Sequence, residues 1–256
     1  MNPTPKTVYS QLFDEMNSNL VKTTSEFKLH SWRRKINQLE NVDYFEYKSA
    51  KSFLFLYENK FELALEEIDS LIAQTDDSEI LSQCYFLKAI ASVSHGKYID
   101  AIEFSWLAFE YSRLIVHYSW MLSTASNFLI YDKRLEDMKS FNQDQIKTSS
   151  EALIAIEKNI KFFNINGLNL NLYRDLNSKL HSLFFSNCIG NLGTFTEQID
   201  SGFITILFNK DLDLEMIEKL NDGVNEIQLS LLDDYDFDDI LRYPVVFTSE
   251  DYGRLI

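Results

Sequence analysis

Apolar side chains recur at three- and four-residue intervals over residues 8–20 and again over 27–39, and that spacing predicts two helices, each with one buried stripe. Residues 111–130 read as one long aromatic helix. Residues 144–163 keep the helical period through Ile146, Leu153, Ile156, Ile160 and Phe163. The polar run Asn164-Ile165-Asn166-Gly167 is a stop signal, after which residues 168–185 resume a helix. The period changes near residue 202. Phe203-Ile204-Thr205-Ile206-Leu207-Phe208 is β-branched and aromatic, residues 213–220 return to helical spacing ending at Asp222-Gly223, and Glu226-Ile227-Gln228-Leu229-Ser230-Leu231 alternates polar with apolar. This predicts strand, helix, strand, with residues 244–248 as a third strand. The expected fold is mainly α, a helical body over 1–200 capped by a small acidic α/β module over 201–256.

Breakers are scarce enough to support this reading. Seven Gly and three Pro occur in 256 residues, with no Pro between Pro5 and Pro244, so successive helices can be joined by short polar turns.

Residues 44–112 contain an internal repeat. Glu58-Asn59-Lys60-Phe61-Glu62-Leu63-Ala64-Leu65 and Ser94-His95-Gly96-Lys97-Tyr98-Ile99-Asp100-Ala101-Ile102 share a polar turn, a Lys-aromatic pair, then Ala and an aliphatic residue. Ala64 and Ala101 are 37 residues apart, close to the period of about 34 in tetratricopeptide repeats, and Thr75-Asp76-Asp77-Ser78 can hold the excess as a longer turn. The segment resembles two degenerate tetratricopeptide hairpins, at 44–77 and 78–112. Ala89, Ala101 and Ala108 match the family's small positions in the second unit, and Tyr85 its first aromatic position. In the first unit Ala64 and Ser52 match, whereas Lys48 and Leu71 depart from the pattern. The resemblance implies paired helices packed through small residues, and a groove that binds another protein. Trp106, Tyr111 and Tyr118 are the aromatic candidates for lining it. The family's carboxylate clamp of Lys, Arg and Asn has no counterpart here.

Charge adds a second candidate surface. The formal net charge is −15, and residues 200–256 hold 14 acidic groups against four basic ones, leaving 25 against 20 before them. A surface of that sign repels phosphate backbones, so a basic protein is a better partner than nucleic acid. The densest part is Asp233-Asp234-Tyr235-Asp236-Phe237-Asp238-Asp239. Counted from Asp234, the sixth position is Asp239 where an EF-hand needs Gly, and the twelfth is Val245 where it needs Glu. These five aspartates therefore read as a partner-binding face and not as a metal site. The same surface fits a neutralising protein, such as an antitoxin, immunity protein or phage-encoded inhibitor that mimics nucleic acid and covers a basic site.

Enzymatic chemistry has little footing. Arg174 and His181, two turns apart on one predicted helix, resemble the Arg-His pair of HEPN-type ribonucleases and form the one catalytic candidate. Arg113 and His117 read as a polar stripe at i and i+4, and Trp32-Arg33-Arg34-Lys35 as a basic patch that anchors acidic groups of the same chain. His30 and His95 lack a second ligand at zinc spacing, and Gly190-Asn191-Leu192-Gly193 lacks the Gly-Lys-Ser/Thr of a phosphate loop. No metal, cofactor or nucleic-acid partner is expected. Cys84 and Cys188 read as small core residues, the opening residues lack the apolar run of a secretory signal, and no apolar stretch approaches membrane-spanning length. A cytoplasmic adaptor, scaffold or regulatory protein is the expectation.

Overall fold

The computed structural model describes residues 5–136, 141–199 and 201–250, and Asp200, Asp251 and Arg254 of the acidic tail lie outside them. The body contains α1 (Pro5–Met16), α2 (Glu26–Asn37), α3 (Tyr44–Tyr57), α4 (Phe61–Ile72), α5 (Ser78–Ser94), α6 (Tyr98–Ser112), α7 (Ile115–Asn127), α8 (Gln143–Ile165) and α9 (Leu170–Asn187). The α/β part contains β1 (Gly193–Ile199), β2 (Gly202–Phe208), α10 (Leu214–Ser230), the short α11 (Phe237–Ile240) and β3 (Val245–Thr248). The fold is mainly helical with a small three-stranded module, as the hydrophobic pattern predicts.

Short polar side chains start these helices. Asp43 accepts from the amide of Glu46, Asp77 from Glu79 and Ile80, Asn169 from Asn171 and Leu172, and Asp213 from Met216. Asn142 and Gln145 form a reciprocal capping box at α8. Each cap satisfies amides that have no partner within the helix.

The two hairpins α3–α4 and α5–α6 fall on the repeat segment. Their crossing points hold Ser52, Ala64, Ala89, Ala101 and Ala108, all buried, which lets the backbones approach closely. Three successive odd-numbered helices end in the same way. A residue with positive φ, Asn59 (59°), Gly96 (67°) or Leu129 (49°), follows each of α3, α5 and α7. The next amide then reaches back five residues, Lys60 to Phe55, Lys97 to Ser92 and Ile130 to Ala125, at 2.7–2.8 Å. This is the Schellman arrangement of a helix C-terminus. Its spacing of 37 and then 33 residues extends the repeat of turns to α7, where no residue motif announces a third unit.

Helix α9 lies across those three turns and joins them. The Asn59 side-chain amide donates to the Ser186 carbonyl (3.0 Å), Ser178 Oγ donates to the Gly96 carbonyl (2.8 Å), and the Arg174 guanidinium donates to the carbonyls of Phe128 (3.0 Å) and Leu129 (2.6 Å). The opposite side of α9 packs on the α/β module. Leu172, Leu176, Leu180 and Phe184 share a core with Phe203, Leu207, Leu220 and Phe247. Gly223 sits where α10 crosses α9, since a Cβ there would stand 2.7 Å from Leu183 Cδ2.

In the sheet, ordered β1-β2-β3, β1 and β2 form an antiparallel hairpin and β3 runs parallel to β2, with α10 as the crossover. Three expectations need correction. The helix expected to stop at Asp222-Gly223 continues to Ser230, so residues 226–231 are not a strand, because Gly223 is a close-packing position rather than a terminator. The first strand, β1, begins before the boundary expected at 200. The single helix expected over 111–130 is broken at Arg113, which adopts a left-handed conformation (φ 55°) between α6 and α7.

Candidate functional site

The acidic segment follows α10 as a 3₁₀ turn (Leu231–Asp233) and the short α11. Leu231, Ile240 and Tyr243 point into the core and fix the segment. Tyr235 donates its hydroxyl to Asp175 of α9 at 2.5 Å. Arg242 adds a strap, donating to the carbonyls of Ser201 (2.8 Å), Gly167 (3.1 Å) and Asn166 (2.8 Å). On this frame Asp233, Asp234, Asp236 and Asp238 are exposed, while Asp239 is half-buried and stands 3.9 Å from Arg242. Among the described residues no group of three or more His, Cys, Asp or Glu is placed to hold a metal ion.

The aspartates are interleaved with large apolar side chains that the fold leaves outside. Leu229 is 65% exposed, Leu232 42%, Phe237 58% and Leu241 58%. Sequence reasoning singled out the charges and missed these four residues. For Leu229 the signal lay in the alternation at 226–231, which reads as a strand with an inner face, whereas in a helix it places Leu229 outward.

The aromatic candidates part company. Tyr118 is buried, with its hydroxyl donated to the Leu135 carbonyl at 2.7 Å and its ring against Phe109 and Phe141, so it belongs to the core and lines no groove. Trp106 is half-buried between Phe109 and the guanidinium of Arg134. Tyr111 is 42% exposed and stacks on Tyr85 at 5.7 Å with the rings 4° from parallel. It begins a run in which Leu114 (54%), Ile115 (37%) and Val116 (50%) are also exposed, at the junction of α6 and α7.

Arg174 and His181 share α9 and face the end of α7, but both are committed there. The Arg174 guanidinium holds the turn that follows α7 through the carbonyls of Phe128 and Leu129, and His181 packs on Phe128 with ring centroids 5.0 Å apart. His181 Nδ1 lies 2.8 Å from the Asn177 carbonyl, so it is the protonated nitrogen. Burial pushes the imidazole down to about 4. Both side chains are thus engaged within the fold, Arg174 by backbone carbonyls and His181 by burial.

The remaining polar candidates are used within the fold. Arg33 pairs with Glu58, Lys35 with Glu15 (2.5 Å), and Trp32 Nε1 donates to Glu15 (3.3 Å), so the basic patch anchors acids of its own chain. Arg113 and His117 lie on either side of a helix break and form no stripe. His117 is buried, with Nδ1 3.1 Å from Ser112 Oγ and 3.3 Å from Ser82 Oγ. Cys84 and Cys188 are buried free thiols, both pushed up to about 11 by burial. No described helix is long and apolar enough to cross a membrane.

No protein-family model, curated protein or solved structure matches this chain.

Proposed function

We propose that the chain is a protein–protein interaction module, adaptor or regulatory in type, built on tetratricopeptide-like hairpins. In this reading its acidic C-terminal surface engages a basic partner, with the exposed run at Tyr111 as a second contact from the helical body. The carrying observation is the interleaving of exposed Asp233, Asp234, Asp236 and Asp238 with exposed Leu229, Leu232, Phe237 and Leu241. Apolar anchors within a charged rim are the composition of binding surfaces, in which burial supplies affinity while charge supplies steering and partner choice.

The tail's excess of 14 acidic over four basic groups also favours a narrower version, in which the partner is a nucleic-acid-binding protein whose basic site is covered. The test is an affinity pull-down from native extract with nuclease present, at low and high salt, using three proteins in parallel. These are the natural chain, a variant with the four exposed aspartates changed to Asn, and the double variant Phe237→Ser/Leu241→Ser. A basic protein recovered by the natural chain and lost by both variants is the expected result. A partner retained by both variants removes this surface from the account. A nuclease or DNA-binding protein inhibited by the natural chain selects the neutralising version.

A further inference from the structure

A cavity within the helical body has features that the interaction reading does not use. It lies between α3, α5, α7 and the C-terminal end of α9, under the loop at Ile189 and Gly190, as two adjoining compartments of about 100 and 210 Å³. Trp120, Val93, Phe185 and Gly190 border both. Either volume is well above what a single water requires.

The smaller compartment is predominantly apolar, walled by Phe53, Leu56, Tyr57 and Ile90 besides the shared residues. Two polar groups stand out. Lys22, from the segment between α1 and α2, donates to the carbonyl of Leu56 (3.2 Å) and to Asn59 Oδ1 (2.8 Å), two of the three bonds an ammonium can give. Both acceptors are neutral, and no carboxylate among the described residues pairs with it. Burial accordingly pushes its amine down to about 8. The second group is the Trp120 Nε1–H, which is buried without an acceptor among the described residues. The Tyr57 ring also faces the ammonium, with its centroid 5.7 Å from Nζ. An unsatisfied buried donor and a half-buried ammonium without a carboxylate both carry an energetic cost that a bound acceptor relieves. Both residues line the same compartment as the apolar walls, so one ligand type can answer both needs.

We propose that this compartment binds a small organic monocarboxylate with an apolar body, its carboxylate received by the Lys22 ammonium and the Trp120 indole N–H and its body against Phe53, Leu56, Ile90 and Phe185. The wider compartment, which His181 and Asn127 also line, accommodates extension of the body. The site is independent of the acidic interaction surface.

The probe is phenylacetate, compared with the neutral and nearly isosteric phenylacetamide. The readout is titration of the Trp120 indole N–H resonance, assigned by its loss in Trp120→Phe, with calorimetry for affinity. Phenylacetate is expected to shift that resonance saturably and to bind about tenfold or more tightly than the amide, as expected for a hydrogen bond to a charged group. Lys22→Met should reduce phenylacetate to the level of the amide. Trp120→Phe, which keeps the charge and most of the shape, should weaken it several-fold and serves if Lys22→Met does not fold. Equal binding of the two probes, no shift at millimolar concentration, or an affinity unchanged in the variants would overturn the assignment.

Discussion

Ser178 of α9 donates its hydroxyl to the carbonyl of Gly96, the left-handed residue that ends α5, at 2.8 Å. This is the middle of three contacts by which one helix fastens three successive hairpin turns, and it sets how closely α9 can lie on the array. With Asn59–Ser186 on one side and Arg174 on the other, it makes α9 the common element between the repeats and the α/β module.

Gly96→Ala should therefore be costly. Its φ of +67° disfavours any side chain, and a Cβ would stand 2.2 Å from Ser178 Oγ and 2.4 Å from the Ser178 carbonyl oxygen, so α9 must shift. A loss of about 2–4 kcal/mol is expected in urea denaturation. Gly167→Ala is the control. Its φ is +59° but nothing lies within 4 Å of the added carbon, so only the backbone cost of about 1 kcal/mol should be seen.

Arg174→Ala removes two hydrogen bonds from a guanidinium to the carbonyls of Phe128 and Leu129, in the turn that follows α7. The expected loss is about 1.5–3 kcal/mol, read by thermal or chemical denaturation. Cleavage that disappears in Arg174→Ala and in His181→Ala while both variants remain folded would reinstate the catalytic reading.

His181 predicts a pH dependence. Its folded value is depressed to about 4 from an ordinary 6.5, so below 6.5 the unfolded chain takes up a proton that the folded chain refuses. The contribution is fully present above about pH 6.5, declines as pH falls towards 4 and levels off below that, for a total of about 3 kcal/mol. His181→Gln should flatten the stability profile across this window relative to the natural chain. Parallel profiles would show that the ring is not buried neutral.

The small residues of the hairpins allow a direct test of packing. Ala101 is completely buried, and Ala101→Leu should destabilise by about 1–3 kcal/mol or more by forcing α5 and α6 apart. Ala73→Leu, at the exposed C-cap of α4, should be close to neutral.

What the sequence disclosed follows the strength of its periodic signals. The hairpins at 44–112 were legible because Lys60-Phe61 and Lys97-Tyr98 each precede a helix whose small residues recur in step. The break at Arg113 was not, since neither Gly nor Pro marks it and the left-handed turn is held by the Phe109 carbonyl, which accepts the Arg113 amide at 2.7 Å. Gly223 misled for the opposite reason. A glycine in a helix resembles a stop until the neighbouring helix supplies Leu183 as the reason for it. Strand β1 was missed because Thr194, Thr196, Glu197 and Gln198 give an edge strand little apolar character. Of the candidate site, the charges of the acidic segment could be read directly, but the outward placement of Leu229 and Phe237 depends on tertiary packing, as does the removal of Tyr118 into the core.

The central claim is that apolar anchors and aspartates act as one binding surface, and the most direct measurement keeps charge constant while removing the anchors. Binding of a synthetic Lys/Leu amphipathic helical peptide is titrated calorimetrically against the natural chain and against Phe237→Ser/Leu241→Ser, at two salt concentrations. The account predicts affinity that falls with salt and drops at least about tenfold in the double variant, because the two side chains lose most of their buried apolar area. Equal affinity of the two proteins at both salt concentrations would contradict it, leaving only nonspecific attraction between opposite charges.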